Sequence, residues 1–186
     1  MELLLAIFLA YLIATALFPR QFIKPISRTQ EKGRTAKPIP GISDGIYPVL
    51  KIADGDTITI ADKTENSGKR KIRLNGIDAP EHSMRGKPEQ PYAKESQALL
   101  TRLCKDGVRI QITSTDKWGR FLAWIYTLDG LCINAEMVRQ GAAWYYEQFC
   151  RNNKTLAAYQ AEAQRQRIGL WGASKNPEAP WDYRNK

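Results

Sequence analysis

The sequence predicts a small α+β domain in which five short strands close into a barrel and about three helices accompany them. Three observations point to it. Short β-branched and aromatic runs alternate with turn residues from position 46 to 126, an amphipathic helical period follows Pro91, and Asn134 and Asn153 each precede a second and third helical stretch that ends near a glycine.

The elements follow in order. Residues 46–52 and 57–60 flank Asp54-Gly55, a favoured turn pair, and 69–74 follow a polar loop containing Ser67-Gly68, so three strands form a meander. Pro91 suits the first turn of a helix whose inner face carries Tyr92, Leu99, Leu100 and Leu103, with Gly107 as the stop. Residues 108–113 and 121–126 read as two more strands joined around Trp118-Gly119. Asn134 is placed to cap a short helix ended by Gly141. Asn153 is placed to cap a longer one with Leu156, Tyr159 and Ala163 inward and Gly169 beyond its end. Five strands with helices between and after them suggest a Greek-key barrel of OB type.

The 186 residues allow one such domain plus roughly 40 residues of something else. Residues 3–18 carry no charge and end at Pro19, followed by Arg20, Lys24 and Arg28; they read as a signal peptide, with Ala14-Thr15-Ala16 as a cleavage pattern, or as an N-terminal membrane anchor. As a helix they would span about 24 Å, less than the hydrocarbon core of a bilayer. Residues 19–44 mix four prolines with basic side chains and read as a linker, so the domain is expected over 45–186, exported or tethered outside the cytoplasm.

Hydrophobic residues make up 43% of the chain, which excludes disordered and collagen-like classes. The formal net charge of +9 is shared by linker and domain and favours polyanionic partners, nucleic acid or an anionic membrane. Three cysteines without C-x-x-C spacing exclude a zinc framework and read as free thiols. A single histidine, His82, excludes a histidine-centred metal site and a two-histidine ribonuclease mechanism; it is expected to be a solvated loop residue. Phosphate-loop, zincin and nucleophile-elbow motifs are also missing.

What remains is a set of carboxylates and arginines near strand ends. Asp54 alone reads as a turn residue, but a second aspartate beside it, Asp56, is repelled unless a cation is near. Asp78 and Glu81 have the spacing of a helix cap and its capping-box partner, and equally of two metal-directed groups. Arg73 and Arg120, singly, read as surface side chains, and Trp118 as hairpin packing. Taken together, two hard carboxylates suit calcium or magnesium, two arginines suit a phosphate, and a third carboxylate suits a proton taken from water.

Those residues lie in strings that resemble the staphylococcal nuclease family. The strings are Asp54-Gly55-Asp56-Thr57, Arg73-Leu74 leading to Ile77-Asp78-Ala79-Pro80-Glu81, Thr115-Asp116-Lys117-Trp118-Gly119-Arg120, Val138-Arg139-Gln140-Gly141 and Gly169-Leu170-Trp171. The resemblance covers about residues 45–171. It implies an OB-type barrel with three helices and one Ca²⁺ held by Asp56, Asp78 and the carbonyl of Ala79. It further implies Glu81 as the group that positions or deprotonates water, and Arg73 and Arg120 on the scissile phosphate. Lys117, Trp118, Tyr145 and Tyr146 fall in or near the family's substrate-binding positions. Ala79 stands where the best-known member has threonine, and Trp118 where it has tyrosine.

The function implied is calcium-dependent, sugar-nonspecific hydrolysis of DNA and RNA by a monomer, leaving a 3′-phosphate. Two alternatives remain: a non-catalytic OB-type module that binds nucleic acid, whose mark would be loss of one of the five charged groups, and an accessory protein of envelope or exopolysaccharide assembly, supported by residues 3–18 alone.

Overall fold

A computed structural model describes residues 45–82 and 86–186. The expected leader or anchor and the linker lie outside the described residues. Among the described residues there are eight strands: β1 (Ile46–Tyr47), β2 (Val49–Ile52), β3 (Thr57–Ala61), β4 (Lys69–Leu74), β5 (Ile77–Asp78), β6 (Val108–Thr115), β7 (Phe121–Tyr126) and β8 (Trp144–Tyr145). Three longer helices are α1 (Ala93–Leu103), α2 (Ile133–Arg139) and α3 (Lys154–Arg165), followed by the short α4 (Leu170–Ala173) and α5 (Pro180–Asn185).

Six strands form one sheet in the order β1-β6-β7-β4-β3-β2. The expected first strand over 46–52 is divided at Pro48, which has no N–H for a ladder. Its first half pairs with β6, Tyr47 opposite Val108, and its second half with β3, Ile52 opposite Ile58. One bent strand thus lies at both edges of the sheet, and the barrel is nearly closed. The count of five therefore becomes six paired segments, plus the two-residue β5 and β8, which pair as a separate sheet. Two-residue strands leave no periodic signal in sequence. β4 and β7 run parallel, Arg73 opposite Leu122, which requires the long crossover through α1 and β6.

The core explains why the barrel forms. Ile58 and Ile60 of β3, Ile72 and Leu74 of β4, Val108 and Ile110 of β6 and Ile125 of β7 are all buried, joined by Leu100 of α1, Ile133 and Met137 of α2 and Leu156 of α3. Each such side chain contributes about 1.5–3 kcal/mol on burial. α1 starts after Tyr92, which adopts a left-handed conformation, and ends at Cys104, before Gly107. Asn153 does cap α3, accepting from the Leu156 N–H at 3.0 Å.

Asn134 does not cap α2. It lies inside that helix, fully buried, and Cys132 holds the cap position. Its Oδ1 accepts from the Ile125 N–H at 2.9 Å, while its Nδ2 donates to the carbonyls of Asn75 and Ala123 at 2.9 and 3.0 Å. Helix α2 is thereby fastened to β7 and to the turn between β4 and β5. Cys104 and Cys132 are buried free thiols, as expected.

Candidate active site

Three chain segments meet at one end of the barrel: the β2–β3 turn, the end of β4, and β5 with the residues after it. The turn carries Asp54-Gly55-Asp56, closed by an Ala53 N–H bond to Thr57 and by the Asp56 N–H donating to Asp54 Oδ1 at 3.0 Å. Gly55 is required by closeness. A Cβ there would come within 1.8 Å of Ser96 Oγ and 2.7 Å of the Ala79 Cβ, so α1 and the Asp78-Ala79 segment press directly on the turn.

Asp56 is held from three sides. Its Oδ2 accepts from the Ala79 N–H at 2.7 Å, its Oδ1 accepts from the Thr57 hydroxyl at 3.0 Å and also forms an ion pair with Arg73. Arg73, at the buried end of β4, also donates from Nη2 to Asp78 Oδ1 at 2.5 Å. Asp78 is fully buried and Asp56 and Arg73 nearly so. A buried carboxylate persists only with charged partners, and here one guanidinium joins two of them. Burial pulls the Arg73 pKa down, opposed by the fields of Asp78 and Asp54. Burial pushes the Asp54 carboxyl up, with Arg73 and Thr57 pulling the other way.

Asp78 has a second guanidinium. Arg184 of α5 donates from Nη1 and Nη2 to Asp78 Oδ1 and Oδ2 at 3.0 and 2.7 Å, and from Nη1 to Glu81 Oε1 at 2.5 Å. Glu81 is fixed along its backbone too, its N–H donating to Gln90 Oε1 at 2.8 Å and its carbonyl accepting from the Gln90 N–H at 2.9 Å. No helix begins at Asp78, so the capping-box alternative is excluded.

The β6–β7 hairpin forms one rim. Asp116 accepts from the Trp118 and Arg120 N–H groups at 2.9 Å each, and from Arg120 Nε at 2.7 Å. Burial raises the Asp116 pKa, but these bonds outweigh it and hold the carboxyl below its usual range. Trp118 is 67% exposed rather than packed in the hairpin, and Lys117 Nζ and the Arg120 guanidinium lie 4.5 and 5.1 Å from its ring. Arg120 is close enough to Arg73 to lower the pKa of the latter.

The opposite rim is aromatic. Tyr146 lies within the field of Asp78 and its ring stacks on Trp181 at 5.0 Å and 16°. Trp144 meets Trp181 and Trp171 edge-on at 5.5 and 4.3 Å. Tyr145 points elsewhere: its hydroxyl donates to the Cys150 carbonyl at 2.6 Å and accepts from the Asn153 N–H at 3.1 Å, inside the packing of α3. His82 is a loop residue as expected but only half-exposed, its Nδ1 2.5 Å from Glu89 Oε1.

Asp56, Arg73, Asp78, Ala79 and Glu81 are thus brought together, with Arg120 beside them and Lys117, Trp118 and Tyr146 around the rim. Trp144, Trp181 and Arg184 escaped the sequence reading. Its one available signal was the density of Trp181, Tyr183 and Arg184 after two prolines near the chain end. Among the described residues, no three acidic, histidine or cysteine side chains are arranged around one point as in a preformed metal centre. The donors nonetheless fit a hard divalent cation, since Asp54, Asp56, Asp78 and Glu81 place more negative charge at this end of the barrel than Arg73 and Arg184 neutralise.

Two matched strings meet at the back of the site. Leu170 N–H bonds to the Gly141 carbonyl at 2.9 Å, and a Cβ on Gly169 would stand 2.3 Å from that oxygen. Residues 71–173 match the family of staphylococcal nuclease homologues. The chain is 36% identical over 140 residues to an "Uncharacterized endonuclease" of Escherichia coli, covering 74% of this chain and 84% of that one. A similarly named protein of Haemophilus influenzae is 40% identical over 139 residues, covering 74% of this chain and 72% of that one. A "Probable staphylococcal-like nuclease" of Oryza sativa subsp. japonica is 38% identical over 144 residues, 77% of this chain but 39% of that longer protein. Barrel, motif order and relatives agree, and the chain belongs to the staphylococcal nuclease family.

Proposed function

We propose that the chain is a calcium-dependent, sugar-nonspecific nuclease that hydrolyses phosphodiester bonds of DNA and RNA. The observation that carries this reading is the convergence of Asp56 and Asp78 on Arg73 at the buried end of β4, with Glu81 joined to Asp78 through Arg184 and Arg120 beside them. An isolated nucleic-acid-binding module has no use for three clustered carboxylates, which repel a polyanion.

Asp56, Asp78 and the Ala79 carbonyl are the groups that would hold the cation. When bound, calcium supplies positive charge that polarises a phosphoryl oxygen. Glu81 accepts the proton of the attacking water. Arg73 and Arg120 face the charge that builds on the phosphoryl oxygens, a preorganised contact worth most in the transition state. Lys117 attracts the backbone, and Trp118 and Tyr146 offer faces on which bases stack irrespective of sequence. Residues 3–18 support a site of action outside the cytoplasm, where calcium is plentiful; resistance of the domain to added protease in cells with a permeabilised outer layer would contradict it.

The test uses the full chain on plasmid DNA, single-stranded DNA and RNA, with calcium or with chelator. The expected result is calcium-dependent cleavage leaving 3′-phosphates, lost in Asp78→Ala. Binding without cleavage under every metal condition would establish the non-catalytic module instead.

A further inference from the structure

The segment after Pro177 lies beyond the family match and folds back over the site. Two of its groups occupy functional positions and a third ties the segment down. Arg184 takes both oxygens of Asp78 and one of Glu81, the carboxylates proposed for the cation and for the attacking water. Trp181 covers the Tyr146 face that a base would use. Tyr183 is tied to the loop before α1, its hydroxyl donating to the Pro88 carbonyl and its own carbonyl accepting from Lys87 Nζ at 2.8 Å.

The way this segment is attached differs from the way the barrel is built. It adds no strand to either sheet, and within α5 only Pro180 is buried. Its other contacts run through side chains at the rim: Gln90 Nε2 to the Glu178 carbonyl at 3.2 Å, Lys186 to Glu178 at 2.5 Å within the segment itself, and the Trp181 ring contacts. The Arg184 side chain remains 31% exposed although its partner Asp78 is fully buried. Burial disfavours its charge, but Asp78 and Glu81 together raise its pKa, so it stays a cation. A flat ring on Tyr146 and a positive charge on Asp78 are what a nucleotide base and a metal ion would present there.

Resting on the nuclease reading above, we infer that residues 178–186 are an autoinhibitory strap, with Arg184 competing with the divalent cation for Asp78 and withholding Glu81 from the attacking water, and with Trp181 competing with a base for Tyr146. The two states exclude one another, because the lone pairs that accept from Arg184 are those a cation would use. Cation and nucleic acid together open the strap, and the free site closes on itself. A strap closed nine-tenths of the time weakens the apparent affinity for either ligand about tenfold.

The experiment compares calcium binding by calorimetry, without substrate, in the full chain, in Arg184→Gln and in a chain ending at Pro177. Hydrogen exchange of residues 178–186 in the full chain is followed with and without calcium. The strap requires calcium to bind about tenfold tighter or better in both variants, and exchange in 178–186 to rise when calcium is added to the full chain. Trp181→Ala should lower KM for single-stranded DNA more than it changes kcat. Equal calcium affinity in all three proteins, or weaker binding in Arg184→Gln, overturns the inference while leaving the metal site intact. Failure of the parent reading looks different, since then neither the full chain nor the shortened one binds calcium. Should the shortened chain not fold, Arg184→Gln decides alone, because it leaves every Trp181 contact in place.

Discussion

Arg73 and Arg120 stand beside the same set of carboxylates, and sequence alone treats them alike. Their surroundings do not. Arg73 ends a central strand, is buried, and neutralises two carboxylates at once, with a pKa drawn down by that burial. Arg120 closes a surface hairpin, is paired with one neighbour four residues away, and keeps 31% of its side chain in solvent. The two charges assigned to one reaction in the proposed function thus occupy two energetic positions. The first is coupled to folding and the second is nearly independent of it, and substitutions should separate the two.

The largest effect is expected at the buried arginine. Arg73→Ala removes the proposed transition-state contact, leaves Asp56 without its guanidinium and leaves Asp78 with Arg184 alone. It should lower kcat/KM by roughly 10²-fold or more and, measured by urea unfolding, cost about 3–5 kcal/mol of stability. Excess calcium should restore part of that stability by binding the exposed carboxylates, since a ligand that binds only the folded state stabilises it by mass action. A full loss of stability that calcium leaves untouched would mean that these carboxylates are not cation ligands.

Asn134→Ala breaks the same floor without touching a charge. The Ile125 N–H and the Asn75 carbonyl each lose a buried partner, at about 1–3 kcal/mol for an unsatisfied group, while the Ala123 carbonyl loses one of two and keeps the Asn75 N–H at 2.8 Å. A destabilisation of roughly 2–4 kcal/mol by thermal or urea unfolding is expected, with activity of the remaining folded protein reduced through misplacement of Asp78. This residue also marks where sequence reading stops. Asn134 sits before a helical stretch with the residue type of a cap, and local pattern offered no reason to bury it. Pro48 is similar: proline predicts a break but not that the two halves would pair at opposite edges of the sheet. Asp56, Arg73, Asp78 and Glu81 were legible because strand ends and tight turns place them by local geometry in short strings. Arg184 was not, since its partner Asp78 is 106 residues away and no periodicity spans such a distance.

Arg120→Ala should match Arg73→Ala in rate and differ from it in stability. The expected loss in kcat/KM is again about 10²-fold, while unfolding should change by less than about 1 kcal/mol, the range of an exposed ion pair. Glu81→Gln belongs beside it, with the rate lost at unchanged fold and with substrate binding preserved, because a proton acceptor is removed without added bulk. Near-full calcium-dependent hydrolysis by folded Glu81→Gln would remove Glu81 from its role.

The smallest effect is an acid limb belonging to the hairpin and the neighbouring β3–β4 loop. Burial raises Asp116 and Asp62, but the bonds they accept prevail, from Arg120 and Trp118 in one case and from Thr64 and Arg70 in the other, so both folded pKa values lie below the ordinary aspartate value of about 3.9. For a depressed carboxyl the unfolded chain binds the proton first as pH falls. The stability these pairs contribute is therefore complete above about pH 4 and is lost progressively as the pH drops through the unfolded value toward the folded one. Unfolding measured between neutral pH and pH 3 should show this loss, and Asp116→Asn should flatten the Asp116 share of it by lowering the neutral-pH stability toward the acid value, since the Asn oxygen still accepts from the Trp118 and Arg120 N–H groups but the charged pair with the Arg120 guanidinium is gone. Salt separates the hairpin from the barrel floor in the same titration. Screening acts on the 31% exposed Arg120 pair and hardly on the buried Arg73 pairs, so added salt should shrink the Asp116 contribution and leave the stability difference between wild type and Arg73→Ala in place. Equal salt sensitivity of the two would mean that Arg73 is as open to water as Arg120, and the contrast between buried and surface arginine would fail.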